Sequence, residues 1–394
     1  MRLINIHLPS VHLEGECQKY KSKKSSNQAA SVAELPVIAG FLLHHLVYHI
    51  PSLDPRELHG NKMDFAKSEV FTSEDLKACT NNLNIKSLVG VIQFGKLYRG
   101  KIKGVMTGTE GQDVMVKIWD KKSENMAFPY DEYLMVKKEV EILTNPTMNS
   151  HPNLAKLIGY CFEEEIKGVV YDLSPLDSLQ NLMVKDDLNW LQRINVVLEI
   201  ARLLKFLHGQ DKPYLIYNIN ASHIVVDWDF KPKLIDFGQI GKGIIGEMSR
   251  QNKQITMPIH HHDPYFTLRG GDWDTSSEVF SFGVILLGLI AKRTCELEKP
   301  DIVLDHLLHV WAKKEYKPQC SLVHNSLQED WGYHAQDGIA ITELGMCCIE
   351  FFPRNRPTMK DVVERLESLH ILQRLGDSRA HKRGKKFHDN AMCL

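Results

Sequence analysis

The sequence predicts a two-lobed α+β fold: a small five-stranded lobe with one main helix, then a larger, mainly helical lobe. Three observations predict it. Short β-rich runs at Ser87–Gln93, Lys96–Lys103, Asp113–Trp119, Ala155–Phe162 and Lys167–Leu173 are punctuated by Gly104 and by Thr107-Gly108 to Gly111. Beyond Asp172, apolar residues recur at helical spacing (Leu191, Ile194, Val197, Leu198, Ala201, Leu204, Leu207) and stop at His208-Gly209. Ser277–Arg293 is apolar nearly all round, the pattern of a buried central helix.

In chain order, residues 1–70 read as a poorly ordered leader. It holds a basic, serine-rich patch, Lys19 to Ser26, and an apolar run, Leu35–Ile50. That run is shorter than the roughly 20 residues of a membrane span and carries three histidines, so a packed or membrane-surface helix is expected there. Phe71-Thr72-Ser73-Glu74-Asp75-Leu76 is a helix start, because Thr72 and Ser73 precede acidic and then apolar positions. Residues 71–172 form the strand-rich lobe, with a helix carrying Val136, Glu139, Val140 and Leu143 between its third and fourth strands. Residues 173–373 form the helical lobe, closed by Val362–Leu372. Residues 374–394 are a basic tail.

A length of 394 residues allows one two-lobed domain plus extensions, and 43% hydrophobic with 25% charged residues places the chain among ordinary globular proteins. A net charge of −1 argues against a nucleic-acid partner held by a basic face. The eight cysteines include no C-x-x-C pair, which suggests neither a zinc knuckle nor a disulfide framework. The N-terminus lacks the features of a signal peptide. A cytoplasmic location follows, with the basic tail and Cys393 leaving room for contact with an anionic membrane surface.

Four short stretches carry chemistry. Gly90-Val91-Ile92-Gln93-Phe94-Gly95 lies between the first two strands, as an incomplete glycine-rich loop or a plain hairpin turn. Lys117 interrupts the alternating strand Val114-Met115-Val116, and Glu139 sits on the following helix. Asp236-Phe237-Gly238 follows the short strand Lys233-Leu234-Ile235, nine residues after Asp227. A strand lysine, a helix glutamate, a loop and then Asp-Phe-Gly, in that order, resemble a protein kinase. The resemblance implies that Gly90 and Gly95 close over nucleotide phosphates and that Glu139 steadies Lys117 on them. It implies that Asp236 holds Mg²⁺, and that Tyr171 and Leu173 flank the segment receiving adenine. ATP and Mg²⁺ are the cofactors so implied.

The loop between Asp211 and Asp227 departs from that family. Its H-R-D-x-K-x-x-N falls on Ile216 through His223, so Asn218 stands in the base position, Asn220 in the lysine position and His223 in a metal position. No carboxylate lies between Asp211 and Asp227. An amide cannot accept the substrate's proton, and losing a general base commonly costs about 10²–10⁴-fold. Imidazole at 223 suits zinc or copper better than Mg²⁺. Tyr217 stands where an arginine would meet a phosphorylated activation loop. Tyr265 replaces a glutamate that pairs with a late arginine, here Arg356, so Asp263 or another acid is expected to take over, since a lone buried guanidinium is costly. Glu278 stands where the family has an aspartate, and its extra methylene is expected to loosen the tie to the loop.

Phe71–Leu76 with Thr80-Asn81-Asn82, Phe94-Gly95-Lys96-Leu97-Tyr98-Arg99-Gly100, His151-Pro152-Asn153-Leu154 and Ser281-Phe282-Gly283-Val284 resemble the plant receptor-like cytoplasmic kinases, within the receptor-like kinase/Pelle clade. The degenerate loop resembles their pseudokinase members, some of which act as scaffolds or decoys. Three readings compete: a pseudokinase scaffold or regulator that binds nucleotide, with another kinase or an immune receptor as partner; an active Ser/Thr kinase; and a membrane-tethered adaptor without nucleotide binding. His260-His261-His262, Ser249 and Thr256 read as features of a solvated activation segment.

Overall fold

The β-branched runs of the first lobe pair into a six-stranded sheet in the computed structural model, which describes residues 68–92, 94–102, 111–120, 132–217, 219–237, 240–242, 263–269, 273–294 and 307–374. Residues 1–67 of the leader, residues 375–394 of the tail with Cys393, and Asn218, Gly238, Ser249, Thr256 and His260–His262 lie outside the described residues. The strands are β1 (Glu69–Val70), β2 (Leu88–Ile92), β3 (Gly95–Ile102), β4 (Gln112–Trp119), β5 (Lys156–Phe162) and β6 (Lys167–Asp172), in the spatial order β1-β5-β6-β4-β3-β2. Five strands were expected. The sixth, β1, pairs parallel to β5 through Glu69 with Gly159 and Val70 with Tyr160. Two exposed residues are too few to announce a period-two pattern, so this strand was hidden in the leader.

Each face of the sheet carries a helix. Helix α1 (Ser73–Cys79) starts at a capping box in which Thr72 and Asp75 satisfy each other's backbone amides. It covers the outer face, where Phe71, Leu76, Val114, Val116, Cys161, Ile166 and Val170 make a separate small core. Helix α2 (Glu132–Thr144) lies on the inner face and sends Val136, Val140 and Leu143 into the main core.

The main core continues into the helical lobe. Helix α3 (Trp190–His208) begins at an Asn189–Gln192 capping box and stops at Gly209. Helix α4 (Thr275–Ala291), capped by Asp274, is buried from Ser277 onward, because α3, α5 (Ala335–Cys348) and the short helix Leu308–Glu315 pack around it. Helix α6 (Met359–Glu367) closes the lobe, with Val362, Val363 and Leu366 buried. Two small sheets sit at the top of this lobe: β7 (Pro175–Ser178) with β9 (Ile224–Asp227) and β10 (Pro232–Leu234), and β8 (Tyr214–Ile216) with β11 (Ile240–Lys242). The lobes are tied at the back of the cleft by the Leu154–Leu234 bridge and by the Arg99 guanidinium, which donates to the carbonyls of Pro175 and Leu176.

Candidate active site

Antiparallel register decides what faces the cleft from the strand-rich lobe. Leu97 opposes Lys117, and Met115 opposes Tyr171. Directly opposed residues point to the same side of a sheet and alternate residues share a face, so Leu97, Met115, Lys117 and Tyr171 line one surface. Gly90 opposes Leu97 and Ile92 opposes Gly95 on that same surface. Ile92 is buried in the main core. The branched side chain in the second glycine position therefore packs into the core beneath the hairpin. Gly95 is required for another reason. A Cβ there would stand 2.1 Å from the Ile118 carbonyl oxygen, so strand packing alone demands glycine. At Gly90 a Cβ would meet only Ser178 atoms at 3.8 Å.

Lys117 is fully buried at the centre of this wall. Its ammonium donates to Glu139 Oε2 at 2.5 Å and to Asp236 Oδ1, and lies 3.8 Å from the centre of the Trp119 ring. The Tyr171 hydroxyl donates to the other oxygen of Glu139. Burial pushes the Glu139 carboxyl up, against the pull of the Lys117 charge, and burial with the Glu139 charge pushes the Tyr171 phenol well up. One cation thus neutralises part of two carboxylates in a dry site. Tyr171 points into the lobe to lock the α2 glutamate. Leu173, buried just beyond β6, lies at the mouth of the cleft and its amide donates to the Tyr171 carbonyl at 2.9 Å.

Asp236 adopts a left-handed backbone with φ of 67°, a conformation that costs about 1 kcal/mol outside glycine. Phe237, fully buried in the main core, holds that turn in place. β11 pairs antiparallel with β8 through Ile240–Ile216 and Lys242–Tyr214, so the segment after Asp236 leaves along the strand that enters the degenerate loop.

The loop is anchored from below. Glu278, buried on α4, accepts the Ile216 amide on Oε1 and meets His208 Nε2 at 2.5 Å on Oε2. The expected loosening does not occur: the extra methylene carries the carboxylate to both partners. Burial pushes the Glu278 carboxyl up, opposed by those two bonds. Tyr217 packs edge-on against Trp273, which in turn meets Phe266, so an aromatic cluster surrounds the residue at the family's arginine position. Burial pushes the Tyr217 phenol up to about 12. Asn220 turns back on its own loop, its Oδ1 accepting the Ser222 amide at 2.8 Å and the Ser222 hydroxyl at 2.6 Å. His223 is fully buried, with Nε2 3.3 Å from Asp236 Oδ2, and among the described residues neither ring nitrogen has a hydrogen-bond partner. Burial lowers the pKa of its imidazole, which keeps the ring neutral.

The donors at the metal position do not fit Mg²⁺. That ion demands near-octahedral oxygen coordination, whereas Asp236 Oδ1 is engaged by Lys117 and the neighbouring donor is imidazole. Lys117 and the open space at Gly90 suit a phosphate. Lower in the lobe, Arg356 Nη2 and Nη1 reach Asp263 Oδ1 and Oδ2 at 2.6 and 2.7 Å, the partnership expected from the sequence.

The structure therefore gathers Lys117, Glu139, Tyr171, His223 and Asp236 into one buried cluster and leaves Gly90, Gly95 and Leu173 around it. Trp119 and His208 had no motif to flag them; Trp119 alone was detectable, since it lies two residues from Lys117 on the same strand face. A family model described as protein tyrosine and serine/threonine kinase matches residues 83–366. Serine/threonine-protein kinase BIK1 of Arabidopsis thaliana is 30% identical over 309 residues, covering 76% of this chain and 75% of the relative. An EPD1-interacting receptor-like cytoplasmic serine/threonine-protein kinase of Nicotiana benthamiana is 30% identical over 325 residues, 81% of this chain and 67% of the relative. Probable serine/threonine-protein kinase PBL16 of Arabidopsis thaliana is 31% identical over 334 residues, 82% and 79%.

Proposed function

The chain belongs to the protein tyrosine and serine/threonine kinase family, and from that premise we propose a catalytically impaired member that works as a signalling scaffold or regulator. The observation that carries this reading is the degenerate loop. No acid lies between Asp211 and Asp227, the Asn220 oxygen is spent on its own turn, and a neutral imidazole stands beside Asp236. A hydroxyl substrate would find no charged acceptor for its proton on this loop, and Mg²⁺ would find a poor donor set. The partner is a protein, another kinase or an immune receptor by analogy with receptor-like cytoplasmic kinases. The protein meets it in the cytoplasm, where the basic tail favours the inner face of the plasma membrane.

A phosphotransfer assay with radiolabelled ATP, Mg²⁺ and a general protein substrate tests this. The expected incorporation by the native chain equals that of Lys117→Ala. Turnover that Lys117→Ala abolishes would sink the proposal.

One group of contacts favours the second reading, an active Ser/Thr kinase. Lys117, Glu139 and Asp236 are assembled, Phe237 is buried, and β11 is paired with β8. Positioning supplies most of phosphoryl-transfer catalysis, so the same assay decides between them.

A further inference from the structure

We propose that His334, Asp337 and His370 form a surface site for Zn²⁺, on elements that take no part in the cleft. One ligand atom from each of the three lies within 4.8 Å of the others. His334 is the N-cap of α5 and Asp337 its third residue, three positions apart and so on one face of the first turn. His370 comes from the chain just past α6, and its ring centre lies 4.6 Å from that of His334. Packing brings the two segments together without an ion. Gly332 has φ of 84°, and a Cβ there would stand 2.5 Å from Ile371 Cδ1, so the loop before His334 can approach residue 371 only as glycine.

The carboxylate is the fixed member and the imidazoles are the accessible ones. Asp337 is 1% exposed, and its two oxygens accept the amides of His370 at 2.9 Å and Ile371 at 3.0 Å. Its Oδ1 also meets His370 Nδ1 at 2.8 Å. The ion would replace the proton shared in that contact and draw in a nitrogen of His334. Ligands about 2.0–2.1 Å from a tetrahedral ion stand about 3.3 Å apart, so the contact must open by roughly half an ångström. The half-exposed His370 side chain can supply that movement. His334 Nδ1 accepts the Gln336 amide at 3.3 Å, longer than an ordinary bond, so that ring is released at little cost. Capping accounts for Asp337 but not for a second imidazole held against the first. Two imidazoles and one carboxylate suit zinc, with water in the fourth position, whereas Mg²⁺ and Ca²⁺ take oxygen. Bound there, the ion ties the start of α5 to the chain beyond α6. This assignment is independent of the proposed function.

The test uses the full chain with His260–His262 replaced by glutamine, since those three could compete for the ion. Zn²⁺ alone is titrated by calorimetry, and binding that a large excess of Mg²⁺ does not displace is expected. His334→Ser keeps an oxygen to cap α5, and His370→Gln keeps a donor for Asp337. Each is expected to weaken Zn²⁺ by about tenfold or more, the scale on which even outer-shell losses register. Zinc X-ray absorption of the bound protein is expected to show two imidazoles and no sulfur at the Zn–S distance of about 2.3 Å, which separates this site from the free cysteines. Should one variant fail to fold, the other variant and the absorption spectrum decide. No bound Zn²⁺, sulfur ligation, displacement by Mg²⁺, or an affinity unchanged in either folded variant overturns the proposal.

Discussion

Arg356 and His223 are both nitrogen bases inside the same protein core, and both stand where drift from the family pattern has changed their surroundings. Around Arg356 the loss has been made good. Tyr265 replaces the expected glutamate, and Asp263, two residues earlier, meets both terminal nitrogens of the guanidinium. The carbonyls of Glu350, Ser276 and Phe351 take its other donors at 2.7, 2.9 and 3.0 Å. Glu278 tells the same story, its longer side chain matched by His208. Around His223 less has been made good: Nε2 lies 3.3 Å from Asp236 Oδ2, but neither ring nitrogen finds a hydrogen-bond partner among the described residues. The difference teaches where selection has acted. An unpaired buried charge costs several kcal/mol in every folded molecule, so the scaffold must repair its losses. A neutral imidazole carries no such charge, and leaving it without a hydrogen-bond partner costs less.

The sharpest way to break that contrast is Arg356→Ala. It leaves the buried Asp263 carboxylate without its cation, and the expected destabilisation is about 3–5 kcal/mol. That corresponds to a fall on the order of 10 °C in thermal denaturation; a drop of about 2 °C or less would mean that the pair is not a scaffold element. A smaller effect is expected at Glu278. Glu278→Asp restores the family residue, yet the shorter carboxylate cannot span both the Ile216 amide and His208, and about 1–3 kcal/mol should be lost. Equal stability would show that His208 is not the repair. Its pH dependence has a definite sign. Burial raises the Glu278 pKa, so the folded state binds that proton more tightly than the unfolded chain does. The resulting stability is complete below the ordinary glutamate value near ~4.3 and is lost as pH rises through the raised folded value. Urea titrations across that window should show the native chain losing stability relative to Glu278→Gln.

Much of this was legible in the residues, and the illegible part has a common cause. Lys117, Glu139 and Asp236 could be paired from order and spacing, because strand, helix and turn each declare themselves locally. The Asp263–Arg356 pair followed from one argument about cost: a buried guanidinium that has lost its glutamate needs another acid. What could not be read was geometry set by distant backbone. The Tyr171 hydroxyl finds Glu139 across 32 residues of chain, and Glu278 finds His208 across 70. No periodicity encodes either meeting. Likewise β1 is a strand only because β5 offers a free edge to two exposed residues.

The smallest expected effect carries the opposite sign, and that makes it the most informative. In chelator-treated buffer, His223→Leu replaces a buried ring with unpartnered nitrogens by an apolar side chain of similar volume. Removing unsatisfied polar atoms from a dry site should stabilise the fold by about 1 kcal/mol. If the change instead destabilises by as much, His223 has a partner in the folded protein and the contrast with Arg356 fails.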